Sequence, residues 1–406
     1  MKKILIILLL FSIAFAAKTG LQSLRLKGTA TAYGSVFSNF SSGAQFIPVL
    51  DGNFLPDTSR FIADFELSAD TYTRYDTVNK FKPGIRLYRA WVRLAGNQFE
   101  LRAGLQKITF GKAQLLRAIS WFDTIDPRDP LGLTTGVWAE RFRFYIPGTN
   151  ANIWAWTIQE TFDSTSFYMP YKLNNTKLIG QYGGRMELPI LNGELGISYN
   201  YKIGSQDSLS ISDLAGPGVS IDLNDLSIAR HQAGFDGKWD GAIGAWFEFA
   251  FTHERSDFSF IAQDAFILTE IASLTLGMDY TLGIGNGLMI MAEYMTNIVR
   301  VELDLGTGSS WTTNELNFAG LMLSYPIGIF DSIGLMGLMD LDNSKFYGYL
   351  FWQMQFDNLT LRLSGALTNF DSNATLFPGQ NATGSMGNMI QLMAIYDFKI
   401  NVIRNR

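Results

Sequence analysis

Apolar and polar residues alternate in segment after segment from Leu24 to Val402, with a tight turn, often marked by glycine, after every second segment. A period of two gives each strand one apolar and one polar face. Leu195, Ile197, Tyr199, Tyr201 and Ile203, for example, interleave with Gly196, Ser198, Asn200 and Lys202. About seventeen such segments are too many for one ordinary core. A closed antiparallel barrel in lipid, apolar outside and polar inside, uses all of them.

The start of the chain sets the compartment. Lys2 and Lys3, the apolar run Ile4 to Phe15 and the small-x-small site Ala14-Phe15-Ala16 read as a secretory signal, residues 1–16, leaving 17–406 as one barrel domain. The run is shorter than the roughly 20 residues of a spanning helix. Further on, charged or strongly polar residues recur every few positions, so a membrane-resident chain has to cross as strands. There is no cysteine, which excludes disulfides, thiolate metal sites and a cysteine nucleophile. Past the signal, 30 basic and 37 acidic residues leave a charge of −7, which argues against a nucleic-acid partner. The 31 phenylalanines, 16 tyrosines and nine tryptophans supply rings of the kind large barrels place as girdles at the membrane interfaces.

Single-chain bacterial barrels have even strand numbers, so an odd count needs correction. A strand near Ala44 to Leu50 brings the total to eighteen; sixteen is the alternative if the first segment stands outside the wall. Short connections at Gly96-Asn97, Pro147 to Asn150, Pro189 to Gly193, Asp240-Gly241, Gly283 to Gly287, Pro326 to Phe330 and Asp357-Asn358 fit periplasmic turns. Thr109 to Gly136, Glu160 to Ile179, Gly204 to Leu226, Arg255 to Glu270, Val301 to Asn314 and Phe370 to Asn388 are expected as outer loops.

The most distinctive stretch is a hairpin about Gly96-Asn97. Leu87-Tyr88-Arg89-Ala90-Trp91-Val92-Arg93 precedes the turn, Phe99 to Gly111 follows it, and Asp126-Pro127-Arg128-Asp129-Pro130 lies in the next connection. This stretch resembles a hairpin of the outer-membrane porin superfamily, including a poorly characterised proteobacterial porin family and, more distantly, alginate-export-like barrels. Leu105 stands where those families carry arginine and Phe110 where they carry tryptophan. The resemblance implies a bacterial outer-membrane location, transport without a catalytic residue or cofactor, outer-membrane lipid and the barrel-assembly machinery as partners, and a possible homo-oligomer.

Parity turns Arg89, Trp91, Arg93, Glu100, Arg102, Gln106, Arg141 and Arg143 toward the lumen, with Tyr88, Ala90, Val92, Leu94, Phe99, Leu101, Ala103 and Leu105 toward lipid. Arg86 to Arg143 holds ten basic and five acidic residues, so an arginine wall favouring anions is one expectation. Pairing of these arginines with acids such as Glu100 and Glu140 is the other. The long connection Thr109 to Gly136 offers Arg117, Asp123, Asp126, Arg128 and Asp129 as constriction residues if it folds inward; otherwise it is an outer lid or brace. Asp64, Glu66, Glu187, Glu248, Glu254, Asp279 and Glu293 read as solvated lumen charge.

Other chemistries fare poorly. His231 and His253 share parity with apolar neighbours and fall on the outer face or near a rim, away from any nucleophile. Asp123, Asp126 and Asp129 lack the spacing of a calcium loop, and no metal site is expected. Three functions compete: a water-filled porin passing small polar solutes, anions among them; a binding or structural barrel with a blocked lumen whose loops contact a surface polymer or partner; and a secreted soluble β protein. A plugged, energy-coupled transporter would need a plug domain and about 22 strands.

Overall fold

The computed structural model describes residues 21–404 apart from 37–39, 56–58, 78–79, 124, 161–178, 212–220, 261–262, 305, 307 and 371–387. The signal segment lies outside the described residues, as do most of Glu160 to Ile179 and Phe370 to Asn388. The strands are β1 (Ser23–Val36), β2 (Ser41–Asn53), β3 (Ile62–Asp76), β4 (Lys80–Ala95), β5 (Phe99–Gln106), β6 (Val137–Tyr145), β7 (Asn152–Glu160), β8 (Ile179–Ile190) and β9 (Gly193–Ile211). They continue as β10 (Ile221–Trp239), β11 (Gly244–Phe260), β12 (Gln263–Leu282), β13 (Leu288–Asp304), β14 (Ser309–Pro326), β15 (Asp331–Asp340), β16 (Lys345–Gln355), β17 (Leu359–Thr368) and β18 (Met389–Arg404).

Each strand pairs antiparallel with its sequence neighbours, and β18 pairs β1 from Ser23↔Arg404 to Val36↔Ile390. The chain is therefore a closed 18-stranded barrel, and closure leaves no open edge. The even count comes from β2, whose alternation is masked by Ser41-Ser42-Gly43 and by Pro48. Pro48 sits where the β2–β3 pairing is interrupted between Phe46↔Thr71 and Val49↔Ser68, with the register kept.

The faces are inverted relative to a soluble protein. Leu101, Phe142, Ile197, Phe249, Leu276 and Leu321 are exposed on the outside, while Arg141, Arg185, Asp236, Glu248, Thr275 and Glu293 are buried inside. Such an exterior has lipid as its solvent.

Three expected loops are largely strand. β9 and β10 pair out to Ile211↔Ile221, β11 and β12 to Phe260↔Gln263, and β13 and β14 to Asp304↔Ser309. Beyond the apolar band no rule of alternation applies, because neither face needs lipid. The backbone still gains by keeping its ladder bonds, so pairing outlasts the pattern that advertises it.

Two local irregularities set side-chain direction near the distinctive hairpin. The β3–β4 register passes from Ser68↔Arg89 to Ala69↔Leu87, skipping Tyr88, so Arg86 joins Arg89 on the inner face despite its opposite parity. Gly104 has φ +120°, and a Cβ there would collide with the Ala90 carbonyl oxygen. Just beyond it Leu105, expected to face lipid, is buried at 2% exposure, and Gln106 donates from Nε2 to the Ala139 carbonyl at 2.9 Å.

Candidate functional site: a lumen loop facing a charged wall

The connection 107–136 folds into the barrel and crosses to strands on the far side of the ring. Two carboxylates hold it there. Glu248 on β11 accepts the Ala113 N–H at 2.6 Å and the Ile119 N–H at 3.0 Å. Glu293 on β13 accepts the N–H groups of Gln114, Leu115 and Leu116 at 2.7, 2.9 and 2.6 Å, and the Trp246 indole N–H at 3.0 Å. Between them Thr275 donates its hydroxyl to the Leu116 carbonyl at 2.7 Å.

Glu248 and Glu293 are 0% and 3% exposed, which overturns their reading as solvated wall charge. They are the acceptors for a segment whose backbone donors would otherwise be buried and unpaired. Gly111, φ +87°, admits the Glu248 carboxylate to a place that a Cβ would occupy. Apolar contacts complete the seat: Leu115 and Leu116 pack with Trp246, Met291, Met295 and Met336, and Ile108, Phe110 and Ile119 with Trp156 and Ile158.

The expected constriction residues separate into different roles. Arg117 and Asp123 pair at 3.4 Å, with Arg117 also donating to the Phe110 carbonyl at 2.8 Å and Thr109 donating to Asp123 at 2.6 Å. Their side chains are 3% and 1% exposed, so they brace the loop from inside rather than line a passage. Asp126 and Arg128 form a two-point ion pair at 2.8 and 2.6 Å, and Arg128 donates to the Tyr347 hydroxyl of β16 at 3.4 Å. Burial pulls the Arg128 guanidinium down, but the Asp126 carboxylate outweighs it and holds the pKa above the ordinary arginine value.

Asp129 accepts the N–H groups of Leu131 and Leu133 at 2.9 and 3.0 Å. Burial nevertheless pushes its carboxyl above the usual aspartate value. Asp123, Asp126 and Asp129 are thus engaged separately, and no group able to hold a metal ion occurs among the described residues.

Across from the Glu293 anchor stands the wall of β3 to β10. Arg93 binds Asp64 at 2.6 Å and Glu100 at 3.3 Å, while Glu100 also receives Arg141 and lies 3.5 Å from Arg102. Farther round, Arg143 approaches Glu187 at 3.4 Å, and Arg185 reaches Glu187 at 2.9 Å and Asp236 at 2.6 Å. Arg86 pairs with the fully buried Asp70 at 2.8 Å.

The arginines do gather on one wall, but acids interleave with them, and Arg86, Arg185, Asp70 and Asp236 extend the row beyond the residues singled out in the sequence. Glu140, expected as a partner, faces outward and accepts the Thr157 hydroxyl. Arg89 is also committed elsewhere: it donates to the Thr134 hydroxyl and carbonyl at 2.8 and 3.0 Å and ties down the loop's return. Arg102 stacks on Trp91 at 4.3 Å and Arg141 on Trp154 at 4.9 Å. The Nε atoms of both are buried without a hydrogen-bond partner. Arg185 was missed although its parity against the exposed Tyr182 and Met186 marks it as inward, and Arg86 was hidden by the skipped register.

His231 and His253 lie on the outer face, where Tyr199 and Glu270 are their partners. They share no site with the lumen acids.

No protein-family model matches the chain, and no curated protein matches it in sequence. Solved structures similar to it include OpdQ of Pseudomonas aeruginosa, 8% identical over 94% of this chain and 99% of that one, TM-score 0.48. OccK10 (OpdN) of the same organism is 14% identical over 94% and 99%, TM-score 0.46. An anion-selective porin from Comamonas acidovorans is 13% identical over 93% and 99%, TM-score 0.43. The reading of the channel rests on the geometry of the lumen.

Proposed function

We propose that this chain is an outer-membrane porin: a passive channel for small polar solutes, narrowed by the segment 107–136 and flanked by the charged wall. The observation that carries this reading is the loop's attachment to Glu248 and Glu293 inside a barrel with a lipid-type exterior, which supports a fixed constriction there. Arg93, Arg102 and Arg143, with side chains 25%, 20% and 25% exposed, retain contact with the lumen. Acids accompany them at every step. The wall therefore presents alternating charge to a passing solute, and its anion preference is modest rather than steep.

The test is refolded protein in a planar bilayer, with unitary conductance and reversal potential recorded in a salt gradient. Discrete steps with a small anion preference are expected; a silent bilayer containing correctly folded barrels would sink the channel. That outcome would favour the second reading, a blocked binding barrel. Its support is the apolar cluster of Leu115, Leu116, Met291, Met295 and Met336, which fills part of the interior with packed side chains.

A further inference from the structure

On the outer face, strands β8 to β13 carry a row of side chains that does not belong in hydrocarbon. Tyr182, Tyr201, His231, His253, Glu270 and Arg300 are direct cross-strand partners on β8 to β13, each paired with the next. All six face outward by the parity of exposed neighbours such as Ile197, Phe235, Phe249, Leu276 and Ile298. Their side chains touch along the row. Ring centroids are 5.2 Å apart for Tyr182–Tyr201, 4.7 Å for Tyr201–His231 and 6.4 Å for His231–His253. Tyr199 lies 2.7 Å from His231 Nδ1, His253 Nδ1 is 3.2 Å from Glu270, and Arg300 is 3.8 Å from the same carboxylate.

Height follows from what lies below. On β13 the outward positions toward the short turn are Ile298, Thr296, Tyr294, Ala292 and Ile290. This stretch is close to the 9–11 residues that a tilted strand needs to cross hydrocarbon. On β11 the corresponding positions are Phe251, Phe249 and Phe247. The row therefore stands at the upper rim of the apolar band, on the side of the long connections, where headgroups begin. Tyrosines at one end and Trp311 at the other are the side chains this depth favours.

The chemistry of the row is mostly donating. Each imidazole keeps at least one N–H, and Arg300 has five. One carboxylate, Glu270, is shared by His253 and Arg300 and cannot satisfy them all. Arg300 is 47% exposed, and its guanidinium lies 3.5 Å over the Trp311 ring, which fixes it at the surface. A flat guanidinium on one side of Glu270 and imidazole donors on the other, with phenols farther along the row, match the oxygens of a phosphate.

We infer that this row binds the phosphate of an outer-leaflet lipid headgroup, with Arg300 and His253 as the main contacts and His231, Tyr199 and Tyr201 as flanking donors. The inference rests on the barrel standing in a membrane and not on its lumen conducting.

The test uses the full chain refolded into vesicles of phosphatidylcholine with and without phosphatidic acid, as wild type, Arg300→Gln, and His253→Gln with His231→Gln. Retained phosphatidic acid is counted by native mass spectrometry, and the thermal midpoint is read from the gel shift of the heated barrel. Phosphatidic acid is expected to be retained by wild type and to raise its midpoint. Arg300→Gln should weaken retention about tenfold, equivalent to about 1.4 kcal/mol. Tyr280→Phe, at the opposite end of β12, keeps wild-type retention and controls for folding.

Equal retention by all variants would overturn the inference, as would a stabilisation that phosphatidylcholine alone reproduces. Inorganic phosphate competing as well as the lipid would show an anion site without headgroup selectivity and overturn the lipid assignment. A variant that splits an oligomer irrespective of lipid would assign the row to contact between copies of the chain instead.

Discussion

Glu293 accepts the Leu116 backbone N–H at 2.6 Å, joining β13 to the middle of a connection that begins on β5. The same carboxylate takes the N–H groups of Gln114 and Leu115, so consecutive backbone donors converge on one side chain. A carboxylate in this position substitutes for the ladder that an ordinary strand would provide. Hydrogen bonds to a charged acceptor contribute about 1.5–3 kcal/mol each, which gives the loop a defined seat without regular secondary structure.

Glu293→Ala removes that seat. The three backbone donors and the Trp246 indole lose their acceptor, so the segment 107–136 should detach while the wall stays closed. A larger, noisier unitary conductance is expected, together with new protease cleavage inside the loop. Glu293→Gln keeps one accepting oxygen and should fall between. Unaltered conductance and protection in the alanine variant would show that Glu248, Thr275 and the packing of Leu115 and Leu116 hold the loop without Glu293.

The wall makes an electrical prediction. Glu100 is the acid nearest Arg93, Arg102 and Arg141 at once. Glu100→Gln should therefore move the reversal potential toward greater anion preference, and Arg102→Gln should move it the other way. Both shifts should shrink as salt rises, because exposed charges are screened over about 8 Å at physiological ionic strength. Shifts of the same sign in the two variants would mean that loop geometry, not wall charge, sets selectivity.

Arg185 and Asp236 form the most enclosed ion pair of the wall, with side chains 1% and 0% exposed and a second contact at 2.9 Å. Removing one partner leaves a buried charge alone, a cost of about 3–5 kcal/mol. Arg185→Met should lower the urea midpoint of the barrel in detergent. Arg185→Met with Asp236→Leu should recover most of the loss, since both charges go together. A double variant no better than the single one would locate the stabilisation in the Glu187 and Ser198 contacts of Arg185.

The barrel was legible wherever lipid imposes alternation, as along Leu195–Ile203 and Phe247–Phe251. Legibility ended where the environment changed. The outer halves of β9 to β14 lie past the apolar band, so pairing there leaves no periodic trace. Within the band the register skip at Tyr88 turns Arg86 inward against its parity, and the positive φ of Gly104 buries Leu105, which parity had assigned to lipid. At the lumen, parity identified Arg93, Arg102, Arg141 and Arg143 as inward-facing. It did not distinguish a solvated glutamate from one that receives a loop, because Glu248 and Glu293 differ from Glu187 only in what crosses the barrel to meet them.

The far half of the loop makes a prediction in pH. Burial raises the Asp129 carboxyl above the ordinary aspartate value while its oxygens accept the N–H groups of Leu131 and Leu133. A raised acid binds more protons in the seated loop than in the released one. Its favourable contribution is therefore fully present below the ordinary value of about 3.9 and is lost as pH climbs through the raised value. Protease cleavage near residues 124–133 in the intact barrel should increase across that window and level off above it. Asp129→Asn removes the charge and keeps one acceptor, so its cleavage rate should be flat over the same range. A wild-type rate that instead falls with rising pH would mean that the ionised carboxylate, through its two N–H donors, is what holds the loop.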